Sequence, residues 1–229
     1  NEKLIESITS SPSPLDLHYP RFDQIKDSDF APAIEAGMAE HLREVEVIVN
    51  NPAAPTFENT IEAMERSGQL LRRASTILFN LIGTDTNPAR QKLQADYAAR
   101  LAAHSDAISL NPKLFVRIKT LNDQLAQLKL DPEQRRLVER TYKRFVRAGA
   151  LLPAEQQARI KVINGELAEL GARFSEKVLA EVNDSAVLVD TEAELAGLSK
   201  AQIAAASAAA EKKGHKGKFL IALLNTTDQ

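Results

Sequence analysis

The stretch "PAEQQARIKVINGELAELGARFSEKVLAEV", residues 153–182, carries Ile160, Ile163, Leu167, Leu170, Phe174, Val178 and Val182 at spacings of three and four. That is the period of an α-helix, sustained for about seven turns. Pro153 suits its start, because a proline there gives up an N–H that no helix would bond. So long a helix with a narrow apolar stripe belongs in a bundle or a coiled-coil-like pair. The same rules apply outward from it in both directions.

Upstream, "NPAR" at 87, "NPKL" at 111 and "DPEQ" at 131 each set a side-chain acceptor before a proline, which marks a helix start. Asp131 with Gln134 fits a capping box. Further back, Phe30, Ile34, Met38, Leu42, Val45 and Val49 form one helical face, with Asp29 as its expected N-cap. In "PTFENTIEAME", 55–65, Thr56 can cap a helix and Glu58 falls in its first turn, where the dipole favours a carboxylate. Phe57, Ile61, Met64, Leu71, Ala74, Leu78 and Leu81 continue that pattern. Residues 1–29, with "SSPSPLDLHYP" at 10–20, read as an extended arm.

Downstream, "AVLVD" at 186–190 and "KFLIALLN" at 218–225 read as strands. Between them "SKAQ" at 199 is a capping box opening an Ala-rich helix to about Lys213. The expected fold is mainly α: a long-helix bundle of six or seven helices, several over fifteen residues, with a small strand pair near the C-terminal end. Its parts are an arm (1–29), a helical bundle (30–183) and a small β/α element (184–229) that reads as truncated.

Composition agrees. Of 229 residues, 44% are apolar, 26% charged and only 5% aromatic, with no Trp. This is a globular balance biased to helix. The net charge of −2 argues against whole-chain affinity for nucleic acid or anionic membrane. No apolar run reaches the length of a membrane span. Cysteine is absent, so thiol chemistry and thiolate metal sites are excluded. The first residue is Asn1, so a processed leader is compatible with the sequence.

The search for chemistry yields little. The histidines are His18, His41, His104 and His215, and no two stand at i and i+4 with a Glu between. His41 and His104 fall near apolar helix faces and read as packing residues. Glu44 and Glu46, and Glu58, Glu62 and Glu65, read as helix-surface carboxylates; Glu62 and Glu65 are the pair spaced to converge on a cation. "GTDTNP" and "GHKGK" lack the context of a phosphate loop. Arg136, Arg140, Lys143 and Arg147 form a basic stripe on one helix. It reads as a solvated face; the alternative is a non-enzymatic helical module binding nucleic acid or an acidic partner.

Four segments, "FAPAIEAGMAEHLREVEVIVNNPAAPTFENTIEAMERSGQLLRRAS" (30–75), "LDPEQRRLVERTYKRFVRAGALLP" (130–153), "INGELAELGARFSEKVLAEVNDSAVLVDTEAELAGLS" (163–199) and "KFLIALLNTTDQ" (218–229), resemble in that order the N-terminal region of the thimet-oligopeptidase family of zinc metallopeptidases. The last points to its bacterial dipeptidyl carboxypeptidase branch. The resemblance implies a nearly all-helical protein with a channel between two halves and a zinc site on an HExxH helix in the distal half. It implies removal of dipeptides from peptide C-termini. This sequence holds no HExxH, so no catalytic or metal residue is assigned to it, and substrate-binding residues stay unassigned. The resemblance therefore makes it a channel-wall portion, inactive alone, of a zinc enzyme in the bacterial cytoplasm or periplasm. The implied partners are the remaining catalytic portion and oligopeptide substrates, with neither nucleic acid nor membrane expected. An uncovered strand edge would favour self-association.

Overall fold

Helix α1, Asp27–Val49, is the longest element of the first half and contributes to two separate cores. The computed structural model describes Ile8, Ser13 and residues 15–222. After α1 come a π-helical segment, Phe57–Glu62, that runs directly into a short α2, Ala63–Arg66, and then α3, Gln69–Thr84. Helices α4, Pro88–Ser109, α5, Pro112–Asp123, and α6, Pro132–Ala148, follow, and then the 31-residue α7, Ala154–Asp184. Strand β1, Val187–Val189, a 3₁₀ turn, Glu192–Leu195, helix α8, Lys200–Lys212, and strand β2, Phe219–Ile221, are the last elements among the described residues. The fold is mainly α, as the periodicity predicts. The chain divides into two compact units, residues 1–170 and 171–229.

The caps read in the sequence form as hydrogen bonds. Asn87 Oδ1 accepts from Arg90 N at 2.9 Å, Asn111 Oδ1 from Leu114 N at 3.1 Å and Asp131 Oδ1 from Gln134 N at 2.8 Å. Gln134 Oε1 returns the bond by accepting from Asp131 N. Three expectations change. Helix α1 begins at Asp27, so Asp29 sits in its first turn rather than at the cap, and its Oδ2 accepts from Lys26 N at 2.9 Å. Thr56 does cap its helix, but the first turns are π-helical. The expected continuous helix from Phe57 to Leu81 breaks at Gly68, whose left-handed φ of 69° ends one helix and begins the next.

In the first unit, one core gathers Phe30, Ile34, Ile77, Leu78 and Tyr97 from α1, α3 and α4. Ile8 is buried in it. Gly37 makes the α1–α3 contact possible, because a Cβ there would lie 2.7 Å from the Leu71 backbone. Polar ties join α1 to α4 beside it: Arg90 bonds Asp27 at 2.7 Å, and Arg100 and Tyr97 both hold Glu35. Hydrogen bonds from Arg100 and Tyr97 hold the Glu35 carboxyl below its ordinary range against the opposing effect of burial. The second core joins the end of α1 to α5 and α6 through Val45, Ile61, Leu114, Ile118, Val138 and Phe145.

The second unit contains the strand pair, which is antiparallel, with Val187 opposite Ile221, Leu188 opposite Leu220 and Val189 opposite Phe219. Ser199 and Gln202 exchange the capping-box bonds that open α8. Residues 223–225 of the expected second strand lie outside the described residues. Among those residues, no helix is long and apolar enough to cross a membrane.

The stripe of α7 is helical as read, but none of its described side chains is buried. Ile163 is 37% exposed, Leu167 61%, Leu170 58%, Phe174 69% and Val178 46%.

Candidate functional site

A cleft of about 600 Å³ opens in the first unit between α1, the Ser67–Gly68 turn, α3, α4, α6 and the first half of α7. Val45, Leu71, Ile108 and Phe145 give it apolar walls. Its polar groups come from positions far apart in sequence.

His41 on α1 and His104 on α4 meet here. His104 Nε2 and His41 Nδ1 are 3.0 Å apart, so one ring donates the proton and the other accepts it. Burial lowers both pKa values. At His41 the nearby Glu44 carboxylate opposes that effect and the Arg72 guanidinium adds to it. At His104 the proximity of His41 adds to it. Both rings therefore take up a proton less readily than a free histidine. Gly68 allows the approach, since a Cβ there would lie 2.7 Å from His41 Nδ1. Glu44 Oε2 fixes the turn by accepting from Gly68 N at 2.7 Å.

Asp106 borders the same cleft and is 6% exposed. Its Oδ1 accepts from Asn164 Nδ2 of α7 at 2.7 Å, whereas Oδ2 is buried and accepts no hydrogen bond. Buried polar atoms are nearly always paired, so such an atom needs a reason. Arg144, also on the cleft wall, is exposed and makes no hydrogen bond or ion pair among the described residues. Arg72 is anchored on the Glu65 and Ser67 carbonyls.

The remaining candidates are ordinary surface groups. Glu62 pairs with Arg66, while Glu65 turns to the cleft, so the two do not converge on a cation. Glu46 accepts from Asn50, and Glu58 is exposed. His18 contacts the Ser13 carbonyl, and His215 is exposed. On α6, Arg136 pairs with Glu139 at 3.3 Å, and Arg140, Lys143 and Arg147 are exposed. Among the described residues no three His, Asp or Glu side chains gather to hold a metal ion. The described residues therefore do not fit a zinc site: His41 and His104 bond each other, and no third His, Asp or Glu gathers with them.

Sequence reasoning missed the histidine pair and one buried cation. Arg117 on α5 is 7% exposed. It donates to Thr60 Oγ1 (3.2 Å), Asn59 Oδ1 (2.8 Å) and the carbonyls of Asn51 and Ala53. It thereby holds the π-helical start that "PTFENTIE" forms.

No family model matches the chain. It is 43% identical over 217 residues to the dipeptidyl carboxypeptidase of Salmonella typhimurium, covering 95% of this chain and 32% of that protein. It is 41% identical over 210 residues to the dipeptidyl carboxypeptidase of Escherichia coli, covering 92% and 31%. Oligopeptidase A of Salmonella typhimurium is 28% identical over 201 residues, 88% of this chain and 30% of that protein. The chain thus spans about a third of the length of the curated relatives it matches. These relatives are peptidases. The chain belongs to their family, the thimet-oligopeptidase family, and is nearer in sequence to its dipeptidyl carboxypeptidases than to its oligopeptidases A.

Proposed function

We propose that this chain is a helical, channel-wall portion of a zinc-dependent peptidase that removes dipeptides from the C-termini of oligopeptides. The observation that carries this reading is the identity of 43% and 41% to two dipeptidyl carboxypeptidases over nearly the whole chain. In this reading the chain does no chemistry alone, and zinc and its ligands belong to the rest of the protein. The chain's part is to build one wall of the substrate path and to admit only extended peptides. The open face of α7 supports that part. Five large apolar side chains in a row along one helix face are costly to leave in water and suit a partner surface. The partner we assign is the remaining two thirds of the protein.

The experiment compares the full-length protein with this chain alone. The full-length protein is expected to hold one zinc per chain by elemental analysis and to release C-terminal dipeptides from a short peptide. This chain alone is expected to do neither. Release of single amino acids, or internal cleavage without dipeptide release, would refute the assignment.

A further inference from the structure

We propose that residues 15–22 are a preset apolar knob, with Leu17 at its tip, by which this chain docks on the remainder of its own protein. From the reading above we take only that a larger remainder exists, and nothing of its chemistry. The chain spans about a third of the length of the relatives it matches.

Two observations meet at the tip. Among the described residues, Leu17 and His18 are the only non-glycine residues with left-handed backbone, each at φ 56°. That conformation suits Gly, or Asn and Asp, whose short polar side chains bond locally. A leucine crowds its own Cβ there and gains no such bond. Yet Leu17 is also 97% exposed, so it packs against nothing in the chain. An apolar side chain held out to water on strained backbone is shaped for a surface outside the described residues. Leu15, Tyr19 and Phe22 are exposed beside it, and the Tyr19 and Phe22 rings meet edge to face at 5.7 Å.

The knob is fixed in place. His18 N donates to Leu15 O at 2.9 Å, Tyr19 N to Asp16 O at 3.2 Å, and the His18 ring to Ser13 O at 3.1 Å. Before it Ile8 is buried in the first core, and after it Ile25 packs on the same core. Four apolar side chains are far fewer than the about 20–30 residues a side of a free-standing interface. A second copy of the chain would have to meet that demand unaided. A remainder in the same polypeptide does not, because the covalent link supplies a high effective concentration. Its complementary surface is an apolar pocket that takes Leu17, with Tyr19 at the rim, where the hydroxyl stays wet.

The test compares hydrogen exchange at the Leu17, Tyr19 and Phe22 amides in this 229-residue chain and in the full-length protein. Exchange at least about tenfold slower in the full-length protein is expected. Leu17→Gly should act in opposite senses in the two. In this chain it should keep or raise Tm, because glycine accepts the φ of 56°. In the full-length protein it should speed exchange at Tyr19 and Phe22 about tenfold. Leu17→Asn, which also suits left-handed backbone, should do the same. Equal exchange in the two proteins, protection that survives Leu17→Gly, or a fall in this chain's own Tm on that change overturns the knob. Exchange in this chain that slows as its concentration rises would make the occupant a second copy and also overturns it. Dipeptide release by a full-length protein without this protection sinks the docking alone. Protection without dipeptide release sinks the peptidase reading and leaves the docking standing.

Discussion

Replacing Arg117 with Met should loosen the start of the π-helical segment while keeping the unbranched apolar stem of the side chain. The guanidinium makes four hydrogen bonds to neutral acceptors and has no carboxylate beside it. Burial alone pulls its pKa below the usual arginine value. Two effects oppose each other. Removing a buried charge without a counter-ion is favourable, whereas losing charge-assisted bonds costs about 1.5–3 kcal/mol each where the partner is dry. Thr60 is fully buried and Asn59 half-buried, but Asn51 and Ala53 can turn their carbonyls to water. The bonds to Thr60 and Asn59 therefore decide the outcome, and after the relief of the charge a net loss of about 2–3 kcal/mol remains. For a chain of this size that lowers Tm by roughly 5–10 °C. Circular dichroism on heating reads the global effect, and hydrogen exchange at the Asn59 and Thr60 amides reads the local one. An unchanged Tm with unchanged exchange would show that Arg117 does not organise this segment.

Three further outcomes follow from other parts of the structure. Gly37→Ala should destabilise by about 1–3 kcal/mol in urea unfolding, because its Cβ meets backbone rather than a side chain that can swing away. His41 and His104 should titrate below the ordinary histidine value of about 6.5 in NMR. Because their folded pKa values are depressed, the unfolded chain takes up protons first, so stability is fully present above about 6.5 and falls as pH drops below it. A His104→Phe variant should lose that part of the slope. On α7, replacing Leu167 and Phe174 with Glu should raise solubility and abolish the self-association expected of an exposed apolar stripe, as seen by sedimentation.

What the sequence revealed was local. The caps at Asn87, Asn111 and Asp131 need only four consecutive positions, so they are visible without tertiary knowledge. The period of α7 is visible for the same reason, but whether its stripe is covered depends on what packs there, and the periodicity is the same either way. The break at Gly68 was hidden because the apolar spacing runs across it undisturbed. The His41–His104 pair joins residues 63 apart, and neither ring has a local signal beyond lying near an apolar face. Arg117 sits in "PKLFVRIKTLND", where a charged residue looks like helix surface; only the approach of the 51–60 segment makes it interior. Resemblance reached further than these patterns and led to the same family as the curated relatives.

The most direct test of the central claim mixes this chain with a separately made remainder of the protein, to which the proposal assigns the zinc site. Release of C-terminal dipeptides from a short peptide is measured for the remainder alone and for the mixture. The account predicts little release from the remainder and recovery on adding this chain, because the wall that positions the substrate is rebuilt. The Leu167→Glu, Phe174→Glu variant should fail to restore it. A remainder that is already fully active and equally selective for short peptides would contradict the account.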